Sequence, residues 1–104
     1  MMRISITWLA FTCLLLGSMK LAHADYDLVV KKNCLACHSV DKRKYGPNFK
    51  EIGSKYAKDK KAIEKLAKKI RAGGSGVWGK DVMPPQPQVS EADARALAKY
   101  VLSL

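Results

Sequence analysis

The chain has 104 residues, a length that suits one small domain and excludes a multidomain protein. Lysine and arginine outnumber aspartate and glutamate by 19 to 9, for a formal net charge of +10. Most of the excess lies in a basic segment, residues 42–71, where 12 basic residues accompany three acidic ones. Such a segment is either a solvated face that favours solubility or a docking surface for an acidic partner.

The first 24 residues have the pattern of a signal peptide. A basic start precedes an apolar run at 4–16, and residues 22–24 (AHA) form the small-x-small pattern at which signal peptidase cleaves. The run is shorter than the roughly 18 to 20 residues of a membrane-spanning helix, which disfavours an uncleaved anchor. We predict cleavage after Ala24, export to the periplasm, no stable membrane insertion afterwards, and one domain over residues 25–104. An exported chain with no recognisable binding motif is not expected to bind nucleic acid.

Cleavage leaves 80 residues in which few side chains are suited to redox or metal chemistry: Cys34, Cys37, His38, Met83 and Trp78. A domain of this size buries a modest core and often depends on a metal, a disulfide or a cofactor. A disulfide between the two cysteines would close a very short loop and add little stability. Some other stabilising element is therefore expected.

Helical patterns dominate the mature chain, and no stretch alternates convincingly enough for a strand. Residues 25–34 begin with acidic and end with basic side chains, as the helix dipole favours. Residues 47–57 place Phe49, Ile52 and Tyr56 on one face, with Pro47 where a first helical turn tolerates proline.

Two further helices are predicted in the second half of the chain. Residues 59–74 stop at Gly73 and carry an apolar face made of Ile63, Leu66, Ala67 and Ile70. Residues 90–104 begin with Ser90 as the N-cap and Asp93 at the capping-box position. Their apolar face consists of Ala94, Leu97, Ala98, Val101 and Leu104. The fold is predicted to be all-α.

A segment without regular periodicity, residues 73–89 (GGSGVWGKDVMPPQPQV), separates the last two helices; we call it the Met83 loop. A structureless loop of this length in so small a domain is either disordered or wrapped around something. Trp78, Val82 and Met83 are too apolar for a free linker. We therefore expect the loop to wrap around a bound group.

Residues 34–38 (CLACH) match the C-x-x-C-H signature of covalent haem attachment. In this signature each cysteine sulfur adds to a vinyl group of haem, and the histidine becomes an axial ligand of iron. A structural zinc site needs four Cys or His ligands, and the mature chain has three. A thioredoxin-like pair is expected beside a βαβ pattern, which this chain lacks. A plain core histidine would leave the cysteine pair unexplained. We predict one haem c, bound through Cys34 and Cys37, with His38 as an axial ligand.

The second axial ligand is predicted by elimination, because the mature chain has no other histidine and a single methionine. Met83 lies in the loop that is expected to wrap, and Pro84 and Pro85 stiffen the backbone after it. A methionine that only fills a gap is the ordinary alternative, and a five-coordinate iron or a lysine ligand also remains open. We predict Met83 as the sixth ligand.

Five stretches together resemble a small class I monohaem cytochrome c of the short bacterial type found in denitrifiers and ammonia oxidisers: CLACH, YGPNF, GVWG, MPP and ALAKYVLSL. The resemblance covers essentially the whole mature chain and implies the class I cytochrome c fold, about four short helices around one haem. It also implies that the Pro47 carbonyl accepts a hydrogen bond from the His38 ring, and that Trp78 donates to a haem propionate unless it is only a core aromatic. Two residues depart from the pattern, namely Gln86 in place of asparagine and Tyr100 in place of tryptophan.

An iron held on both faces by protein side chains has no position for a substrate, so the predicted function is one-electron transfer rather than catalysis. The resemblance implies a carrier between respiratory chain components and a terminal reductase or oxidase. The contrasting hypothesis is a five-coordinate or Met-labile haem protein, a peroxidase or small-gas binder, although no distal histidine or acid–base pair is evident. Expected partners are acidic redox proteins that dock over a small interface on a monomer.

Overall fold

The structure, a computed structural model, describes the backbone from residue 19 and the side chains from residue 25 to the C-terminus. This part of the chain forms four α-helices: α1 (Met19–Lys31), α2 (Phe49–Tyr56), α3 (Ala62–Ala72) and α4 (Glu91–Leu102). One turn of 3-10 helix, Cys34–Ala36, follows α1. Between residues 19 and 104 no strand is present, and the β-type pairing there is an isolated antiparallel bridge between two loop residues. The predicted all-α fold is confirmed.

The predicted signal peptide, residues 1–24, lies largely outside the described residues. Helix α1 begins at Met19 and continues through the predicted cleavage position, so it starts earlier than the sequence pattern indicated. Cleavage after Ala24 remains a prediction. Among the described helices, none is both long enough and apolar enough to cross a membrane.

Helix α4 is the centre of the hydrophobic core, and α1, α2 and α3 all pack against it. Leu97 is 2 % exposed, and burying a side chain of this size contributes about 1.5–3 kcal/mol. The predicted apolar face of α4 is correct except at Leu104, which is 41 % exposed because the helix ends at Leu102. The other helices contribute buried apolar side chains to the same core: Val29, Phe49, Ile52, Leu66 and Ala67.

Capping residues define where α2 begins. The Asn48 side chain accepts a hydrogen bond from the Glu51 amide at 2.7 Å, and the Glu51 carboxylate accepts from the Asn48 amide at 3.1 Å. This capping box starts the helix at Phe49. The prediction that Pro47 lies in the first helical turn is therefore wrong, because the box leaves Pro47 ahead of the helix with its carbonyl available to another partner.

The Gly73 stop of α3 and the Ser90 cap of α4 agree with the predicted signals, whereas the Asp93 carboxylate lies 3.7 Å from Lys32 Nζ and does not complete a capping box. Helix α3 stops at Gly73, which adopts φ +69° and donates its amide to the Lys69 carbonyl at 2.8 Å. The Ser90 hydroxyl accepts from the Asp93 amide at 3.1 Å and caps α4. These two ends fix the starting and finishing points of the Met83 loop.

Candidate haem site

The C-x-x-C-H segment forms a tight turn directly after α1. Asn33 adopts φ 63°, a left-handed conformation that asparagine tolerates better than most residues, and the chain changes direction there. The amides of Cys37 and His38 both donate to the Cys34 carbonyl, at 3.3 and 3.0 Å. Both thiols are free, and the two cysteines and the histidine line the same cavity.

The His38 ring is held in one orientation by its neighbours. Its Nδ1 lies 2.7 Å from the Pro47 carbonyl oxygen, which can only accept, so Nδ1 is the donor in this hydrogen bond. The ring stacks on Phe49 with centroids 5.5 Å apart and 25° between the planes. Gly46 brings the backbone close, since a Cβ there would lie 2.6 Å from His38 Cε1, and its amide donates to the Cys37 carbonyl at 2.8 Å. The ring nitrogen left to bind a metal is Nε2.

Met83 is fixed through its own backbone. Its amide donates to the Gly74 carbonyl at 2.8 Å, and the Gly74 amide donates to the Met83 carbonyl at 2.9 Å. This reciprocal pair is the isolated antiparallel bridge, and it ties the methionine to the chain just beyond α3. Gly73 permits the approach, because a Cβ there would collide with the Met83 carbonyl oxygen and lie 2.7 Å from the Pro85 nitrogen. The loop is therefore anchored at the residue predicted to bind iron.

The C-x-x-C-H turn and the Met83 loop line one open cavity. The helices supply an apolar wall: Phe49, Ile52, Leu66, Leu97 and Val101. Burial raises the pKa of the Cys34 thiol above its ordinary value. Two thiols that can form thioether bonds to haem line this apolar cleft, together with an imidazole nitrogen and a thioether that can ligate its iron, so these residues fit a covalently attached haem.

The cavity side chains do not form a site for a metal ion without haem. Across the part of the chain that the structure describes, no group of three or more His, Cys, Asp or Glu residues is arranged to hold a metal ion.

Trp78 lines the cavity and also packs against the hydrophobic core. Its carbonyl accepts from Arg43 Nη2 at 3.2 Å, and the Lys55 ammonium lies 5.3 Å from the centroid of its ring. The core role that was left open for Trp78 is therefore present. Its contact with a haem propionate stays a prediction.

The two residues that depart from the family pattern have clear surroundings. The Gln86 side chain donates to the Pro84 carbonyl at 3.2 Å and accepts from Gln88 at 2.6 Å, so its amide is engaged within the Met83 loop. Tyr100 packs edge-on against Phe49, with ring centroids 6.4 Å apart and 82° between the planes. Burial raises the pKa of Tyr100, and nearby Tyr26 adds to that shift.

Two residues at the cavity were not predicted from the sequence. The Tyr45 hydroxyl lies 3.2 Å from both the amide nitrogen and the carbonyl oxygen of Val82, 37 residues away along the chain. Arg43 Nη2 reaches the Trp78 carbonyl, 35 residues away, and Arg43 Nη1 lies 3.6 Å from the Glu51 carboxylate. The available signal for Tyr45 was its position in YGPNF, and nothing in that stretch indicates pairing with Val82.

Comparison with known sequences identifies the family. The profile of the family described as cytochrome c matches residues 26–104. Cytochrome c-552 of Nitrosomonas europaea is 52 % identical over 83 residues, which cover 80 % of this chain and 81 % of the relative. Cytochrome c-551 of Stutzerimonas stutzeri is 43 % identical over 104 residues, which cover 100 % of this chain and 99 % of the relative.

Solved structures agree with the sequence relatives. The crystal structure of wild-type Nitrosomonas europaea cytochrome c552 matches with a TM-score of 0.75 at 51 % identity, covering 76 % of this chain and 98 % of that one. The class 1 cytochrome MtoD from Sideroxydans lithotrophicus ES-1 matches with a TM-score of 0.64 at 26 % identity, covering 78 % of this chain and 92 % of that one. The resemblance inferred from the sequence motifs is confirmed. The chain belongs to the cytochrome c family, as a small monohaem class I member whose cofactor is a covalently attached haem c.

Proposed function

We propose that the mature chain is a one-electron carrier of the periplasm, with His38 and Met83 as the axial ligands of a low-spin haem iron. The observation that carries the proposal is that both side chains line one cavity while each is anchored from a different segment. The Pro47 carbonyl orients His38, and the bridge to Gly74 anchors Met83. Ligands fixed in this way need little rearrangement to meet a single iron.

The chemistry of the two ligands favours electron transfer. When bound, haem supplies one-electron exchange between ferrous and ferric iron. His38 would contribute a neutral imidazole, since Nδ1 keeps its proton in the hydrogen bond to the Pro47 carbonyl while the lone pair of Nε2 binds the iron. Met83 contributes a neutral thioether, which raises the reduction potential relative to an anionic ligand. With both axial positions taken, no position is left for a substrate, which supports a carrier rather than an enzyme.

The remaining site residues would hold and shield the cofactor. Cys34 and Cys37 would form the two thioether bonds, and the Trp78 indole N–H would donate to a propionate. Phe49 and Leu97 are 4 % and 2 % exposed, so the cavity wall that they form would keep water from the iron. Low polarity around a metal site is one of the factors that set its potential.

The basic segment is proposed as the docking surface for an acidic redox partner. Arg43, which lines the cavity, is exposed and donates to the Trp78 carbonyl, while Lys44 donates from its ammonium to the Leu35 carbonyl at 2.8 Å. The Lys44 bond holds a positive charge at the haem attachment turn, and the Arg43 bond holds a second one at the Met83 loop, where Glu51 lies 3.6 Å away. Charge complementarity at such a place steers encounter, and redox complexes characteristically bury little surface. The carrier is proposed to act as a monomer.

The periplasmic location rests on the signal-peptide pattern of residues 1–24. The match to the cytochrome c profile begins at residue 26, which supports a domain boundary near the proposed cleavage after Ala24.

The visible spectrum of protein matured in a bacterial periplasm tests the proposal. We expect sharp low-spin bands in the reduced state and, in the oxidised state, a weak long-wavelength band from methionine sulfur to ferric iron. Met83→Ala should abolish that band, whereas Val82→Ala, which truncates the neighbouring exposed side chain, should retain it. A high-spin reduced spectrum, or ready binding of carbon monoxide by the reduced wild type, would contradict Met83 ligation and favour the ligand-binding alternative.

A further inference from the structure

The backbones of two consecutive residues of the Met83 loop, Val82 and Met83, form hydrogen bonds on opposite sides of the chain. The amide and carbonyl of Val82 both meet the Tyr45 hydroxyl, at 3.2 Å each, while the amide and carbonyl of Met83 pair with Gly74 at 2.8 and 2.9 Å. In extended backbone the N–H and C=O of one residue point to one side, and those of the next residue point to the other. The Tyr45 hydroxyl therefore takes the place that a third strand would occupy beside Val82 and Met83.

A tyrosine hydroxyl is chemically suited to this position. It donates one hydrogen bond and accepts others, so a single oxygen can satisfy both backbone groups of Val82. The bond from the hydroxyl to the Val82 carbonyl is longer than the roughly 2.7–2.8 Å typical of O–H···O bonds, and the bond from the Val82 amide is longer than the roughly 2.9–3.0 Å typical of N–H···O bonds, so each is modest in strength. Phenylalanine would keep the ring and remove both contacts.

Tyr45 is next in sequence to the residues that orient His38, and it also contacts the loop that carries Met83. Its immediate successors are Gly46, whose backbone lies against the His38 ring, and Pro47, whose carbonyl accepts from that ring. Residues 45–47 thus hold His38 directly and hold Met83 through Val82. A single short segment joins the two sides of the candidate haem site.

We propose that Tyr45 is a positioning residue that keeps Met83 on the iron by holding the backbone of Val82. This inference rests on the proposed ligation by Met83. Without the hydroxyl, the edge of the loop opposite Gly74 loses its anchor, and Met83 leaves the iron more readily. The Gly74 bridge and the contact between Arg43 and the Trp78 carbonyl remain in place, so the loop keeps its overall path.

Imidazole titration of the oxidised holoprotein tests the inference, because imidazole competes with Met83 for ferric iron. We expect Tyr45→Phe to bind imidazole about tenfold more tightly than wild type, the ratio that corresponds to losing one or two ordinary hydrogen bonds. The matched control is Tyr26→Phe, which removes the hydroxyl of a tyrosine on α1 that is 40 % exposed, against 51 % for Tyr45. The control should bind imidazole as wild type does.

A second comparison separates positioning of Met83 from a general change in the cavity. In a Met83→Ala background, Tyr45→Phe should leave imidazole affinity unchanged, since the residue through which Tyr45 acts is gone. One outcome concerns a wild type that shows the sulfur band and whose imidazole affinity changes on Met83→Ala. In that case the Tyr45 proposal is overturned if Tyr45→Phe binds imidazole as wild type does, or if Tyr45→Phe still raises the affinity in the Met83→Ala background. If wild type lacks the sulfur band and Met83→Ala does not alter imidazole affinity, ligation by Met83 fails and the role of Tyr45 fails with it.

Discussion

A Cβ atom on Gly46 would lie 2.6 Å from Cε1 and 2.9 Å from Nδ1 of His38. No side chain fits at position 46 unless the ring moves, and the ring is also held by its hydrogen bond to the Pro47 carbonyl. The backbone at residues 46–47 and the orientation of the imidazole therefore depend on each other.

Gly46→Ala should displace the His38 ring. We expect a loss of about 1–3 kcal/mol in the free energy of unfolding, as overpacking usually causes, together with altered axial-ligand bands in the visible spectrum. Gly53→Ala is the matched control, because its Cβ would lie 2.7 Å from the Val101 carbonyl, at the contact between α2 and α4. The control should lose stability with no change in those bands. An unaltered ligand spectrum in Gly46→Ala would contradict the close contact.

Asn48→Ala should remove the cap of α2 and loosen the residue before it. We expect the free energy of unfolding to fall by about 1 kcal/mol, as for other N-cap losses, and the Nδ1 proton of His38 to exchange faster with solvent. The Pro47 carbonyl that accepts this proton is adjacent to the cap. Ser90→Ala removes the comparable cap of α4 and should cost a similar amount without affecting the His38 proton. Denaturant unfolding and proton NMR would measure the two effects, and equal exchange rates in both variants would refute the link.

The Asp59–Lys65 pair should make stability depend on pH at both extremes. The Asp59 carboxylate accepts from Lys65 Nζ at 2.6 Å and from the Lys61 amide at 2.8 Å, contacts that lower the pKa of Asp59 below its ordinary value of 3.8 and raise that of Lys65 above 10.5. A carboxyl pKa that is lower in the folded state stabilises the fold at pH values above the unfolded-state pKa, and this contribution is lost as the pH falls through the folded-state pKa. An amine pKa that is higher in the folded state stabilises the fold at pH values below the unfolded-state pKa, and this contribution is lost as the pH rises through the folded-state pKa.

Asp59→Asn should therefore be less stable than wild type at neutral pH, and the difference should shrink as the pH falls through the lowered pKa of Asp59, because protonation removes its charge. Denaturant midpoints across the pH range provide the measurement. Asp27→Asn, which neutralises an exposed carboxylate on α1, controls for net charge. A difference between Asp59→Asn and wild type that is independent of pH would contradict the ion-pair origin.

Lys42→Glu should slow electron transfer to an anionic oxidant if the basic segment steers partners. Stopped-flow oxidation of the reduced holoprotein by ferricyanide would show a lower rate for Lys42→Glu than for Arg95→Glu, which makes the same charge change on α4. The gap between the variants should close with added salt, because the screening length falls from about 30 Å at 0.01 M to about 10 Å at 0.1 M. Equal rates for the two variants, or rates that do not respond to salt, would remove the docking role from this part of the segment.

Much of the helical framework could be predicted because its signals are local. The Gly73 stop and the Ser90 cap act within a few residues, and apolar spacing identifies a buried face without knowledge of its partner. The errors fall at helix ends, where such signals compete. Pro47 suits a first turn, yet the capping box at Asn48 starts the helix later, and Leu104 continues the apolar spacing past the end of α4.

The candidate site was predictable where its residues are adjacent in sequence or where only one residue of the required type is present. The C-x-x-C-H motif is contiguous, and Met83 was identified because residues 25–104 contain no other methionine. The pairing of Met83 with Gly74, and of Val82 with Tyr45, could not be predicted. These contacts depend on the path of a loop rich in glycine and proline, whose backbone has no periodicity to read.

The hydrogen bonds that support the two proposed ligands differ in the sequence separation of their partners. The bond that orients His38 joins residues nine positions apart, whereas Tyr45 reaches Val82 across 37 positions. Short-range contacts close small loops at low entropic cost and form early in folding, while long-range contacts wait for the rest of the fold. We therefore expect the folding chain to form the attachment turn around Cys34 and Cys37 before it has a core, and to bring Met83 into place last.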